Sequence, residues 1–498
     1  MYDKLLSLII WMPILLGVLT LVIDRLGCLS RYMKLFALAS ACLSFIGVVL
    51  LYFTFDPLQG SMQWVEIRPW IEAIHANYHL GVDGISLILV LLNSLITLIV
   101  VWANWRTTFH HAAQYLACFL IMSGLINGVF LALDTLLFYV FFESMLIPMY
   151  LIIGVWGGSQ RIYAAFKFFL YTLLGSLLML VAMIYLYQLT QDSFDLAAWQ
   201  RLYMPLSTQV LLFVAFFLAF AVKVPMWPLH TWLPDAHVEA PTGGSMILAA
   251  ITLKIGAYGF LRFALPILPD ACRLLSPLMV ALSLIAVIYI GFVALVQTDM
   301  KKLIAYSSIS HMGLVTLGLF LFADGHLNTW AVEGALLQMI SHGLVSAALF
   351  MGIGVLYDRT HSRQIQDYGG VAKPMPIFAS FMMLFVMANT ALPGTAGFVG
   401  ELMILIGAVQ THFWIGCLAG TTVVLSAGYT LWLYKRVIFG DVIHASIAQL
   451  KDVNARELWI LICLAVAILG MGLYPQLLAN TIHPTIDQLI HHVNQPKF

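Results

Sequence analysis

An all-α polytopic membrane protein is the fold these 498 residues predict. Three observations point to it. Hydrophobic residues make up 62% of the chain and charged ones only 9%, against about 45–50% and about 25% in soluble domains. The apolar residues gather into runs of about 20, the length a helix needs to cross a hydrocarbon core of about 30 Å; a transmembrane β-barrel would alternate over segments of about 10. Lys+Arg (23) balances Asp+Glu (23), so the basic field a nucleic-acid binder needs is missing, and the apolar content excludes a disordered chain.

Fourteen spans are predicted, with approximate limits 5–23, 32–54, 84–105, 113–133, 135–156, 163–189, 207–232, 243–265, 274–297, 302–323, 330–356, 377–411, 413–438 and 457–477. The chain is apolar from Leu5 but lacks a basic n-region and a small-residue cleavage site, so the first run reads as a span, not a signal peptide. Most basic residues, among them Arg25, Arg31, Lys301, Lys302, Arg359 and Arg363, fall in odd-numbered loops. Arg68, Arg201, Arg262 and Arg273 fall in even-numbered ones. The bias places the odd loops in the cytoplasm and both termini outside.

Four ionisable residues interrupt the apolar runs: Glu143, Lys223, Lys254 and Glu401. A charge at the bilayer centre costs about 2.5–3.5 kcal/mol on insertion scales. Glu143 is eight residues past Thr135, about 12 Å deep at about 1.5 Å per residue, and Lys254, eleven past Gly243, is about 16 Å deep. Structural ion pairs are the bland explanation, but buried pairs rarely repay their desolvation. Two acids and two lysines at such depths suit a proton relay better. Burial lowers a lysine pKa and a nearby carboxylate raises it again, so displacing or protonating the carboxylate releases the lysine's proton. Arginine could not serve, because it does not deprotonate in proteins. His311 and His342, in LIAYSSISHMGLV and LLQMISHGLVSAALF, extend the row, with Ser307, Ser308 and Ser310 placed to hold water. The remaining histidines carry no predicted role.

Two spans are interrupted as well as long: the seventh by Pro225 and Pro228, the twelfth by Pro393, Gly394 and Gly397. Broken helices in corresponding places point to an inverted repeat. The seventh and twelfth spans are five apart, and an odd interval inverts the second unit. Two inverted five-helix repeats are therefore expected. The segments are 1–110 (three N-terminal spans), 111–265 (spans 4–8), 266–440 (spans 9–13) and 441–498 (a last span and a tail). Asp134 reads as an N-cap of the fifth span, and Asp299, Lys301 and Lys302 as a solvated cytoplasmic turn. Residues 232–244 read as a polar, turn-rich segment over the cytoplasmic mouth near Lys223. Cys28, Cys42, Cys118, Cys272, Cys417 and Cys463 are widely spaced, without Cys-x-x-Cys; they predict small buried hydrophobes, not iron–sulfur, zinc or disulfide chemistry.

The stretches KVPMWPLHTWLPDAHVEAPTGGSMILAAITLKIGAYG (223–259), KKLIAYSSISHMG (301–313) and LPGTAGFVGELMIL (392–405) resemble the antiporter-like subunits of respiratory complex I. The similarity covers most of the chain. Glu401 is an acid where sister branches of that family carry lysine, and the chain ends soon after the fourteenth span, without one branch's long lateral helix. LFADGHLNTWAVEG (321–334) departs from the resemblance by its length. The resemblance implies a proton-pumping subunit of a bacterial inner-membrane NADH–quinone oxidoreductase. Glu143 would modulate Lys223, Lys254 would be the central lysine, His311 and His342 the linking histidines and Glu401 the outer gate. It also implies no cofactor on this chain: FMN, iron–sulfur clusters and quinone belong to other subunits. Partners would be the neighbouring membrane subunits, above all the sister antiporter-like ones, with protons and lipid, and no nucleic acid. The rivals are a subunit of a multi-subunit Na+/H+ antiporter or membrane-bound hydrogenase, a stand-alone solute transporter, and a structural scaffold.

Overall fold

Apolar runs become helices because a backbone in hydrocarbon must satisfy its own hydrogen bonds. The computed structural model describes residues 4–26, 32–106, 110–442 and 444–497; Cys28 and Arg31 lie outside them. In chain order the helices begin with α1 (Leu5–Leu26), α2 (Met33–Thr54), α3 (Gly84–Ala103), α4 (Ala112–Leu131), α5 (Thr135–Ser144), α6 (Leu146–Trp156) and α7 (Arg161–Leu189). They continue with α8 (Leu196–Gln200), α9 (Leu206–Lys223), α10 (Trp232–Glu239), α11 (Thr242–Ile247), α12 (Leu253–Gly259), α13 (Leu265–Ile267), α14 (Pro269–Leu295) and α15 (Met300–Leu319). The last are α16 (Thr329–Thr360), α17 (Pro376–Asn389), α18 (Ala396–Thr411), α19 (Phe413–Val437), α20 (Ala445–Ala448), α21 (Ala455–Leu473) and α22 (Gln476–Val493). Among the described residues, 12 helical segments are long and apolar enough to cross a membrane. The other predicted spans fall short for visible reasons: α15 carries lysines, serines and a histidine, and the broken α17 and α18 are 14 and 16 residues long.

Two compact units form, one of Met1–Val224, Lys254–Leu275 and Asn480–Phe498, the other of Pro225–Leu253 and Ser276–Ala479. In the first unit, acidic side chains close helix starts. Glu66 accepts from the backbone of Leu6 (2.8 Å) and Ser7 (3.1 Å), satisfying orphan donors of α1. Asp83 caps α3 through Ser86 N and, as the sequence predicts for it, Asp134 caps α5 through Leu137 N (3.0 Å). Glu66 lies on a β-hairpin absent from the all-helical expectation, β1 (Gln63–Ile71) paired antiparallel with β2 (Ala76–Val82). The predicted fifth span divides at Met145 into α5 and α6. Pro148 explains the division, because it cannot donate to the Ser144 carbonyl four residues back.

In the second unit, α17 ends in a Schellman motif. Leu392 N bonds Met387 O (3.0 Å), Ala391 N bonds Ala388 O (3.3 Å) and Ala391 is left-handed at φ 56°. Gly394 follows at φ 88°, and a Cβ on Gly397 would stand 2.3 Å from Ala388 O, so α18 restarts hard against the helix it left. The α16–α18 packing is equally close: a Cβ on Gly400 would meet Gln338 N at 2.6 Å, and one on Gly334 would meet Ile404 N at 2.8 Å. At its far end α16 holds α21: Arg359 Nη2 lies 2.7 Å from Glu457 Oε2, and Arg359 Nε donates to Lys451 O (2.9 Å).

Some expectations need correction and others gain detail. Asp299 does cap α15 through Lys301 N and Lys302 N, but Lys301 is not solvated; its side chain is buried and its Nζ donates to Ala240 O (2.7 Å). Residues 232–239 are the buried helix α10, not a loose turn, with His237 stacked on Phe350 of α16 (4.6 Å between centroids). The stretch 321–334 begins with a small hairpin of β3 (Phe322–Ala323) and β4 (His326–Leu327). The C-terminal tail is helical: α22 has apolar residues such as Ile482, Ile486 and Ile490 on its buried face. Arg262, assigned to a loop, is buried on a π-turn and paired with Asp83.

Candidate functional site

The first unit places Glu143, Lys223 and Lys254 on three elements. Lys223 is the last residue of α9, which stops two residues before Pro225. Its ammonium group is buried and, among the described residues, makes no hydrogen bond. It lies instead 4.9 Å from the Phe142 ring centroid and 5.8 Å from that of Phe168, at cation–π range. Its carbonyl-rich helix end also favours a cation. Glu143, next to Phe142 on α5, is the acid whose field reaches Lys223, and Ser176 of α7 lies beside its carboxylate. The structure thus brings Glu143 and Lys223 together without a salt bridge between them.

Lys254 is fully buried as the second residue of α12. π-Turns flank that short helix on both sides, Leu248–Thr252 and Phe260–Ala264. Such turns widen a helix and are frequent where side chains do chemistry. Gly256 lets α12 touch α9: a Cβ there would stand 2.6 Å from Phe220 O and 2.8 Å from Val224 N. Two turns beyond Lys254, Arg262 bonds Asp83 and Ser86, with Tyr258 under its guanidinium at 5.2 Å.

The second unit brings His311, His342 and Glu401 together. Glu401 lies six residues into α18, counting from Ala396, and is 2% exposed. Gln338 of α16 donates to its Oε1 (3.0 Å). His311 Nδ1 of α15 is 2.9 Å from the same oxygen, out of line for a hydrogen bond, and Oε2 has no partner among the described residues. The His311 and His342 rings are 5.9 Å apart between centroids. The serines expected to hold water bond protein instead. Ser307 donates to Tyr429 OH (3.1 Å), Ser308 to Ile304 O and Ser310 to Val287 O. Asn389, at the end of α17, joins Ser307 (3.2 Å) to Thr430 (3.0 Å).

Sequence reasoning missed Gln338, Tyr429 and the Asp83–Arg262 pair. Gln338 had a signal: it is four residues before His342, so the two share a helix face. Among the described residues no group of three or more His, Cys, Asp or Glu is placed to hold a metal ion.

Many apolar helices, two of them interrupted beside a buried titratable group, define a multi-pass membrane protein of the antiporter type. The profile described as NADH:quinone oxidoreductase/Mrp antiporter, TM matches residues 132–426, more than half the chain. The sequence is 46% identical to NADH-quinone oxidoreductase subunit M of Rhodobacter capsulatus, over 98% of this chain and 97% of that one. It is 44% identical to NADH-ubiquinone oxidoreductase chain 4 of Arabidopsis thaliana, over 93% and 92%. A chain of respiratory complex I from Thermus thermophilus with bound NADH superposes with a TM-score of 0.88 at 30% identity, over 99% of this chain and 100% of that one. The chain belongs to the NADH:quinone oxidoreductase/Mrp antiporter family, in its subunit M branch.

Proposed function

We propose that this chain is the proton-translocating membrane subunit of an NADH:quinone oxidoreductase, moving protons outward through Glu143, Lys223, Lys254, His311, His342 and Glu401. Electron transfer from NADH to quinone on other subunits drives it, and FMN, the iron–sulfur clusters and quinone reside there. The neighbours are the other membrane subunits, chiefly the sister antiporter-like ones. The chain lies in the bacterial inner membrane with both termini periplasmic. In this reading its fourteen spans contain two inverted repeats, 111–265 and 266–440, after the N-terminal 1–110 and before the C-terminal 441–498.

One observation carries the reading: a buried Lys223 ammonium group with no hydrogen bond, facing Glu143. Its proton is held by the Glu143 charge and two aromatic faces, so shifting or neutralising that carboxylate loosens it. The pair titrates as a set, and the released proton has the buried Lys254 as a next station within the same unit. In the second unit the His311–Glu401 contact, 2.9 Å and out of line, becomes a hydrogen bond by a ring rotation alone. Glu401 then receives a proton from the histidine side and passes it outward.

The test is NADH-driven proton uptake into inverted membrane vesicles carrying Glu143→Gln, read beside the electron-transfer rate. Uptake falls while the complex stays assembled, because an amide cannot hold Lys223 protonated. An unchanged proton yield per electron would refute the assignment. The family's description also includes Mrp antiporters, which keeps a subunit of a multi-subunit Na+/H+ antiporter as the second reading. Proton uptake that needs a sodium gradient and not NADH would favour it.

A further inference from the structure

We propose that the first unit binds a phospholipid with a zwitterionic headgroup, one acyl chain lying in a groove between α1, α4 and α6. The groove has a volume of about 630 Å³, within the range of about 300–1,000 Å³ usual for small-molecule sites. Its walls are aliphatic, with Val18, Leu125, Ile147 and Leu151 among them, and its inner end is closed by Ser144 and Pro148. Its mouth is polar and aromatic: Asp24, Arg25, Gln114 and Trp156.

Depth argues for a lipid chain. The mouth residues stand at one end of their helices: Arg25 closes α1, Gln114 opens α4 and Trp156 ends α6. Ser144 is twelve residues before Trp156, about 18 Å along the chain at about 1.5 Å per residue. The groove is therefore about one leaflet deep in a hydrocarbon core of about 30 Å. A partner helix would cross both leaflets, whereas an acyl chain anchored at one surface stops near the middle.

Charge argues for the headgroup. Asp24 and Arg25 are consecutive on α1, and neighbours in a helix do not face each other. The carboxylate and guanidinium therefore point to separate partners, and an ammonium and a phosphate on one ligand supply both. Trp156 is fixed at the same level by a hydrogen bond from Nε1 to His110 O (2.9 Å) and an edge contact with Tyr115 (5.2 Å), as expected of an aromatic side chain at headgroup depth. The inner end of the groove is Pro148, the residue that separates α5 from α6 beside Glu143. The acyl terminus packs on that break, so the occupant steadies the helix end that presents the carboxylate.

The test uses the protein in its native assembly, in nanodiscs holding phosphatidylethanolamine with a diazirine near the acyl terminus, and maps the cross-links by mass spectrometry. Label concentrates on the α4 and α6 segments around Leu125 and Ile147. Leu151→Trp, which narrows the groove from its exposed rim, lowers that label about fivefold, while label at the lipid-facing Leu174 and Leu278 stays constant. On the unsubstituted protein, phosphatidylglycerol carrying the same diazirine labels the groove less, and Asp24→Asn with Arg25→Gln abolishes that preference. Equal labelling of the groove and of Leu174, or no headgroup preference, would mean annular lipid only and overturn the site. A groove that stays unlabelled while Leu174 is labelled would mean a protein neighbour covers it, and would overturn it equally.

Discussion

Lys223 stands at a helix break and Glu401 more than a turn past one, and their surroundings differ in kind. Lys223 ends α9, and aromatic faces and the field of Glu143 hold it without a hydrogen bond. Glu401 lies more than one turn inside α18, beyond the reach of the helix N-terminus, and Gln338 and His311 stand within 3.0 Å of it. A cation held by faces and a field releases its proton when the field moves. An acid held by a directed amide keeps its geometry whatever its protonation state. The first arrangement suits a trigger and the second a receiver.

The sharpest way to break this comparison is Lys223→Ala. It removes the proposed trigger, and NADH-driven proton uptake is expected to fall by about tenfold or more, equivalent to about 1.4 kcal/mol, with electron transfer measured alongside. A full proton yield would make the site a scaffold. Glu401→Lys is expected to act more gently. The Gln338 amide can turn its oxygen toward an ammonium group, so part of the uptake survives, and adding Gln338→Glu restores more of it. A complex that fails to assemble would mark the acid as structural. Gln338→Leu alone removes the amide's hydrogen bond to Glu401, about 0.5–1.5 kcal/mol for an ordinary bond. It slows uptake several-fold with the Glu143–Lys223 pair intact, and an unchanged rate would count against the receiver.

The smallest effect is at the C-terminus of the first unit. Lys497 Nζ bonds the carbonyls of Gln200 and Pro266, and Asp270 accepts from Lys497 N (2.9 Å). Burial pushes the Lys497 ammonium down to about 8, with Asp270 pushing back and His492 on the same Pro266 carbonyl. The docked tail therefore loses its proton before the undocked one, whose lysine titrates near about 10.4. Between about pH 8 and 10.4 the undocked state binds more protons, so docking strengthens as pH rises through that window and is weakest below it. Amide hydrogen exchange along α22, corrected for intrinsic rates, reads this, and Lys497→Met removes the dependence.

The sequence disclosed the parts of the candidate site that are charged. Glu143, Lys223, Lys254 and Glu401 stand out of apolar runs because a charge in hydrocarbon is costly, and Pro225 and Pro393 announced the breaks by removing backbone donors. Gln338 and Tyr429 did not stand out, since neutral polar side chains carry a smaller penalty and read as ordinary helix. The π-turns around Lys254 are backbone events that no residue type marks. Lys301 was misplaced because a lysine at a helix start is usually solvated; here the Ala240 carbonyl is near enough to take it inside. The β-hairpin and α22 lie outside the apolar runs, where a ruler based on hydropathy has nothing to measure.

Helix α16 runs unbroken for 32 residues, about 48 Å at about 1.5 Å per residue, well beyond the about 30 Å of hydrocarbon it crosses. Gln338 and His342 sit along its shaft, and Arg359 grips Glu457 at its end. A rod with no joint transmits torque: a twist applied at the Arg359 end would carry to both the Gln338 amide and the His342 ring in the same sense. A neighbour that pulls on that distal end thus addresses two distant side chains with one motion, without ever entering the lipid interior.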